Sequence, residues 1–187
     1  MSHHAPKQAR LQLDEGRLDA AKSSLENGPV TPSYGPYRDD IVKLLNDALA
    51  TELVCTLRYR HDYFMARGID SQAAADEFLE HAKQELDHAD RIAGRIVQLG
   101  GEPRMDPGQL TARSHSEYRT GRTVQEAIRE NLVAERIAID SYREMVQYLG
   151  DRDPTTRRML EEILAVEEEH ADDLAELLGS SSTPVKS

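Results

Sequence analysis

Tryptophan is absent from the 187-residue chain, phenylalanine occurs twice and cysteine once. The single cysteine, Cys55, excludes an intrachain disulfide and is compatible with a reducing cytoplasm, where the protein is expected to reside. No stretch approaches the roughly 20 apolar residues that cross a bilayer, and residues 1–30 hold no apolar run long enough for a secretory signal, so no membrane partner is expected. Basic residues are also in short supply: 23 Lys and Arg face 34 Asp and Glu, for a formal net charge of −11. Phosphate backbones are held by clustered Lys and Arg, so DNA is not an expected partner. An acidic surface gathers cations instead.

Glycine and proline gather at a few places and divide the remainder into helices. Residues 1–38 carry scattered charge and the turn-rich run Asn27 to Pro36. Leu11, Leu18 and Leu25 are seven apart, which allows a short amphipathic helix with a stripe only one residue wide. This segment is expected to be a partly flexible extension that drapes on the body or on a neighbouring subunit. A first long helix is expected from Asp39, as its cap, to Arg67, with Ile41, Leu44/Leu45, Ala48, Glu52, Cys55/Thr56, Tyr59 and Tyr63 inward. A second is expected from Asp70 or Ser71 to Leu99, with Phe78, Ala82, Glu85, His88/Ala89, Ile92 and Ile96 inward. Residues 100–122 break the pattern. Neighbouring antiparallel helices are usually joined by about 2–8 residues, so this longer connection predicts a crossover along the bundle. A third helix runs from Thr123, with Glu126 at capping-box spacing, to Leu149, and a fourth follows the connection Gly150-Asp151-Arg152-Asp153-Pro154, with Met159, Ile163, Glu167 and His170/Ala171 inward, and stops at Gly179. The polar tail 180–187 leaves no room for a fifth helix. The expectation is a single all-α domain, a four-helix bundle over residues 39–179.

Within this frame one pattern is written twice. Glu52 precedes Tyr59 by seven residues, and Glu85 opens Glu85-Leu86-Asp87-His88; Glu135 precedes Tyr142 by seven, and Glu167 opens Glu167-Glu168-Glu169-His170. The second copy follows at offsets of 83 residues for the glutamate and tyrosine and 82 for the Glu-x-x-His. All four glutamates lie in the apolar stripes, where leucine or isoleucine is expected. One Glu-x-x-His on an acidic helix is ordinarily a solvated face, but two at matching offsets, each after an inward glutamate, point to metal ligands. Two unit charges about 4 Å apart at an effective dielectric near 20 repel by roughly 4 kcal/mol, so converging buried glutamates call for cations. Two divalent ions cancel four carboxylates, and two neutral imidazoles add ligands without charge. Mixed nitrogen and oxygen donors suit Fe, Mn and Zn alike.

Other residues are read against bland alternatives. Tyr59 and Tyr142 lie two turns along from their glutamates, where they either pack with a satisfied hydroxyl or bond the ligands and act as electron donors. His81 lies one turn before Glu85 and is expected behind the ligands or exposed, with an accessory ligand as the alternative. Glu80, Gln84 and Asp87 fall beside the stripe and are expected on a solvated face, with guiding ions as the alternative; Cys55 is expected as a small core residue, with a reactive thiol as the alternative.

The six residues Glu52, Glu85, His88, Glu135, Glu167 and His170 match the arrangement of di-iron and di-manganese carboxylate bundles, in which two helices give a Glu and two give Glu-x-x-His. With HADRIAGRIVQLGGEP at 88–103 and VEEEHADDLAELL at 166–178, the chain resembles the ferritin-like superfamily, bacterioferritin most closely, over roughly residues 39–179. The resemblance implies a ferroxidase centre of two Fe ions within each subunit, Fe(II) oxidised by O2 or H2O2, and ferric mineral stored in a hollow homo-oligomer. Leu86 stands where bacterioferritin has a haem-ligating methionine, so haem is not expected. The missing fifth helix is similar to the smaller Dps-like cages and implies a dodecamer, although the tryptophan of the Dps interfacial site and the cysteine pair common in such relatives are both missing. A dimanganese or di-iron oxidase or catalase without storage, and a Dps-like DNA-protecting protein, are the competing classes.

Overall fold

The computed structural model describes residues 12–66 and 71–180. Four long helices make the body: α2 (Arg38–Met65), α3 (Gln72–Gln98), α5 (Val124–Leu149) and α6 (Pro154–Ser180). Two short ones, α1 (Glu15–Ala20) and α4 (Pro107–Arg113), lie before the bundle and in the crossover. No strand occurs among the described residues. Helix α2 packs along α3 and α5 along α6, and α2–α5 and α3–α6 contacts join the two pairs. This is the expected bundle with one long crossover.

The core is divided along the bundle axis. One apolar cluster gathers Ile41, Leu45, Leu49, Ile92, Ile96, Leu149 and Ile163 and ends at Ala89 and Tyr142. A second gathers Phe78, Ala82, Ile128 and Leu174 and ends at Tyr59. Each inner stripe supplies both clusters, and its glutamate or histidine falls in the polar layer between them.

Several local expectations change. Helix α2 starts at Arg38 with Tyr37 as its N-cap, so Asp39 is not the cap. Asp39 and Asp40 lie in the first turn, where negative charge favours the helix dipole. The helix ends at Met65, and its expected end at Arg67 lies outside the described residues. Helix α6 passes through Gly179 to Ser180. The residues beyond, where absence of a fifth helix was expected, also lie outside the described set, as do residues 1–11. The expected N-terminal helix is only six residues long and buries nothing. What drapes on the body is the following stretch, where Val30 and Tyr34 pack against the core.

The crossover contains a helix that periodicity missed. Asp106 caps α4, its side chain accepting from the Gly108 N–H, and Pro107 occupies the first turn. Asp-Pro at these positions is itself a helix-start signal. Its buried Leu110 packs on Ala50 and Val54, giving α2 a second buried face. Arg58, also on α2 and buried, donates to the carbonyls of Glu117 and Glu130, tying the crossover to α5.

Glycine closes α3. The Gly100 N–H bonds the Val97 carbonyl and the Gly101 N–H bonds the Ile96 carbonyl, with Gly100 at φ 72°. These bonds and the left-handed residue make a Schellman cap. At the start of α5, Thr123 Oγ1 accepts from the Glu126 N–H as the spacing predicts, but the Glu126 carboxylate reaches back to the Arg122 N–H. Thr123→Ala is expected to cost about 1 kcal/mol, measured as a fall in thermal midpoint of about 2–4 °C.

Asp153, just before α6, ties three segments together. It accepts from the Thr156 N–H and hydroxyl, from Arg95 Nη2 at 3.0 Å, and from the Tyr34 hydroxyl. Arg95 Nε also donates to Thr156 Oγ1 at 2.8 Å. This buried cluster joins α3, the start of α6 and the N-terminal extension.

Candidate metal centre

All six residues singled out by the repeat are buried, none more than 2% exposed. They converge in the polar layer as two groups of four, Glu52-Glu85-His88-Glu167 and Glu85-Glu135-Glu167-His170. Within each group, one potential ligand atom from every residue lies within 4.8 Å of the others. Glu85 and Glu167 belong to both.

The distances give the two halves separate faces. His88 Nδ1 lies 3.2 Å from Glu52 Oε2 and 2.9 Å from Glu167 Oε1. His170 Nδ1 lies 3.4 Å from Glu85 Oε1, 3.7 Å from Glu167 Oε2 and 3.8 Å from Glu135 Oε2. Glu85 Oε1, Glu135 Oε2, both Glu167 oxygens and His170 Nδ1 are buried without a hydrogen bond. A buried polar atom without a partner costs about 1–3 kcal/mol, more when charged. Such atoms facing one space from several helices are donors that could hold metal.

The electrostatics point the same way. Burial, followed by the charge of Glu167, pushes Glu85 well above the usual carboxylate range. Burial and the charge of Glu52 raise Glu167 as well. Burial disfavours charge on both histidines, yet the facing carboxylates outweigh it and raise His88 and His170. Glu135 goes the other way: burial disfavours its charge, but His170 beside it outweighs that and lowers its pKa to about 2. Protons at Glu85, Glu167 and the histidines are one source of balancing charge, and divalent cations are the alternative.

The tyrosines are crossed. Tyr59, on the same helix as Glu52, donates to Glu135 Oε1; Tyr142, on the same helix as Glu135, donates to Glu52 Oε1. Burial and these carboxylates hold both phenols well above their ordinary range, so they stay protonated donors. Each orients the inward glutamate of the opposite helix, leaving that glutamate's second oxygen toward the polar layer. Sequence spacing marked both tyrosines but not the exchange of partners.

Gln84 departs from its expected place. It was expected on a solvated face, but its Oε1 lies 2.6 Å from His170 Nε2. A proton on that nitrogen leaves Nδ1 free toward the glutamates, which fixes the tautomer a ligand needs. Its signal was position alone, one residue before Glu85 and so at the edge of the stripe. Glu80 and Asp87 are exposed as expected.

His81 is fully buried, stacked on His170 with ring centroids 4.0 Å apart and edge-on to Tyr59. Burial and neighbouring His170 lower its pKa. Cys55 is buried near Ser116, and burial raises its thiol pKa. Leu86 lies on the outer face of α3, 41% exposed. No described helix is long and apolar enough to cross a membrane.

The ferritin-like domain family matches residues 42–182. The bacterioferritin of Brucella melitensis is 31% identical over 135 residues, covering 71% of this chain and 78% of that protein. The dodecameric thioferritin of Bacteroides fragilis, a bacterioferritin-related protein, superposes with a TM-score of 0.74 at 31% identity, over 78% of this chain and 88% of that one. Rhodobacter capsulatus bacterioferritin, whose structure has a metal-free dinuclear site and haem iron, superposes with a TM-score of 0.68 at 25% identity, over 75% and 84% of the two chains. The four-helix architecture and the family match over α3 to α6 and most of α2 agree: the chain belongs to the ferritin family, as a ferritin-like domain.

Proposed function

We propose that the protein is a ferroxidase and iron store. The observation that carries this reading is the pair of four-residue groups sharing Glu85 and Glu167, with unpartnered oxygens and a nitrogen turned into one buried layer. Glu52 and His88 hold one iron, Glu135 and His170 the other, and Glu85 and Glu167 serve both. Fe(II) is the substrate: two ions give one electron each, which with two protons reduce O2 to H2O2 or H2O2 to two waters, and the resulting Fe(III) leaves for a mineral store. Tyr59 and Tyr142 hold the terminal carboxylates, and Gln84 holds the His170 ring. The apolar clusters on either side limit water in the layer.

The store is a cage of copies of this chain, twelve by analogy with the dodecameric Bacteroides fragilis relative. Residues 39–179 form its folding unit, the stretch around Val30 and Tyr34 drapes over it, and it works in the cytoplasm without haem, Leu86 offering no axial ligand. The net charge of −11 disfavours a DNA-protecting role.

Iron retention tests storage. Protein is loaded with Fe(II) in air, and its mass and iron content are measured by size exclusion with light scattering and elemental analysis. The expected result is a roughly dodecameric particle retaining tens to hundreds of irons per subunit. A dimer retaining about two metals per subunit overturns storage in favour of a dimetal oxidase or catalase.

A further inference from the structure

His81 plays no part in the dimetal centre as described, yet both its ring nitrogens lack a hydrogen bond although the side chain is 1% exposed. Its orientation is set by contact on two sides. The ring stacks on His170 with a 24° interplanar angle and meets Tyr59 edge-on, at 86° with centroids 5.1 Å apart. Held this way, Nε2 faces Glu77 Oε1 at 3.2 Å and Asp173 Oδ2 at 3.7 Å. Glu77 is one turn before His81 on α3, and Asp173 is one turn beyond His170 on α6. Their side chains are 34% and 42% exposed, so the cluster opens to solvent on the side away from the centre.

We propose that Glu77, His81 and Asp173 form a third divalent-cation site, at which Fe(II) is held before it passes to the dimetal centre. One ligand atom from each lies within 4.8 Å of the other two. Two carboxylates and one imidazole are a donor set for a first-row divalent ion, with water completing the shell on the open side. The cation gives the unpartnered imidazole nitrogen its partner and offsets the paired negative charge of Glu77 and Asp173. His81 also groups with Glu135 and His170 within the same 4.8 Å limit. One ring therefore stands within ligand reach of both the outer cluster and one half of the centre, which is the arrangement a transfer step requires. The proposal rests on the dimetal reading of the inner layer.

The test counts metals, using Zn(II) as an ion that undergoes no oxidation. Isothermal titration and equilibrium dialysis of the metal-free full-length protein are expected to give about three Zn(II) per subunit. Glu77→Gln with Asp173→Asn, near-isosteric at partly exposed positions, is expected to reduce this to about two, and Glu85→Gln with Glu167→Gln to about one. His81→Ala, as an independent variant, is expected to match the Glu77/Asp173 pair. Two sites in the unsubstituted protein, or no change in the Glu77/Asp173 variant, overturns the third site and leaves the centre standing. An unchanged count in the Glu85/Glu167 variant overturns the dimetal reading instead.

Discussion

Glu85→Gln combined with Glu167→Gln is expected to lower the rate of Fe(II) oxidation by more than about 100-fold, beyond the 10–100-fold typical for losing a group behind the ligands. These two side chains belong to both halves of the centre, so no other pair of substitutions removes as much from each. The same variant carries an opposite expectation for stability. Both carboxyls are pushed toward the neutral form by burial and by other glutamates. Glutamine mimics that neutral form, so the metal-free variant is expected to melt at or above the unsubstituted protein. Metal separates the two. A cation at 1,000 times its dissociation constant stabilises by about 4.1 kcal/mol, a rise of about 8–16 °C at this chain length. The unsubstituted protein should show at least that rise with Zn(II), and the variant a smaller one, from the ion it keeps outside the centre. Equal oxidation rates in the two proteins would refute the ligand assignment.

Asp153→Ala is expected to cost about 3–5 kcal/mol, the range for removing one partner of a buried ion pair. Asp153 is 2% exposed and Arg95 nearly buried, so the substitution leaves a guanidinium with little water to replace the lost carboxylate. It also takes the acceptor from the Thr156 N–H at the start of α6 and from the Tyr34 hydroxyl. A fall of about 6–20 °C in thermal midpoint follows, with faster proteolysis of the released segment around Tyr34. The pH dependence has a definite sign. Burial disfavours charge on Asp153, but bonds from Thr156, Tyr34 and Arg95 outweigh it and lower its pKa. A lowered folded-state pKa means that the stabilisation is complete above the unfolded value near 3.9 and is lost as pH falls through the folded value. The variant should therefore lose less stability than the unsubstituted protein on acidification below about pH 4. A midpoint within 2 °C of the unsubstituted protein, roughly the effect of 1 kcal/mol or less, would refute this account.

The helices and the six converging residues were legible because both depend on local geometry. A side chain three or four positions along shares a helix face with its neighbour, so Glu85 with His88 and Glu167 with His170 follow from spacing alone. The apolar stripes then place Glu52 and Glu135 inward. Helix α4 was equally local, announced by Asp106-Pro107, but a search for apolar periodicity does not detect a seven-residue helix. The second buried face of α2 was not legible, because it exists only where the crossover brings Leu110 against Ala50 and Val54.

Helical spacing alone puts four glutamates and two histidines on inward faces at corresponding depths, where their charges have to be balanced. Which side chain faces which is a matter of packing between helices. That packing paired Tyr59 with Glu135 and Tyr142 with Glu52, set Gln84 against His170, and turned His81 toward Glu77 and Asp173. Those pairings depend on the rotation of each helix about its axis and on its axial register against its neighbours. Packing across the whole bundle sets both, and the period of a single helix carries neither.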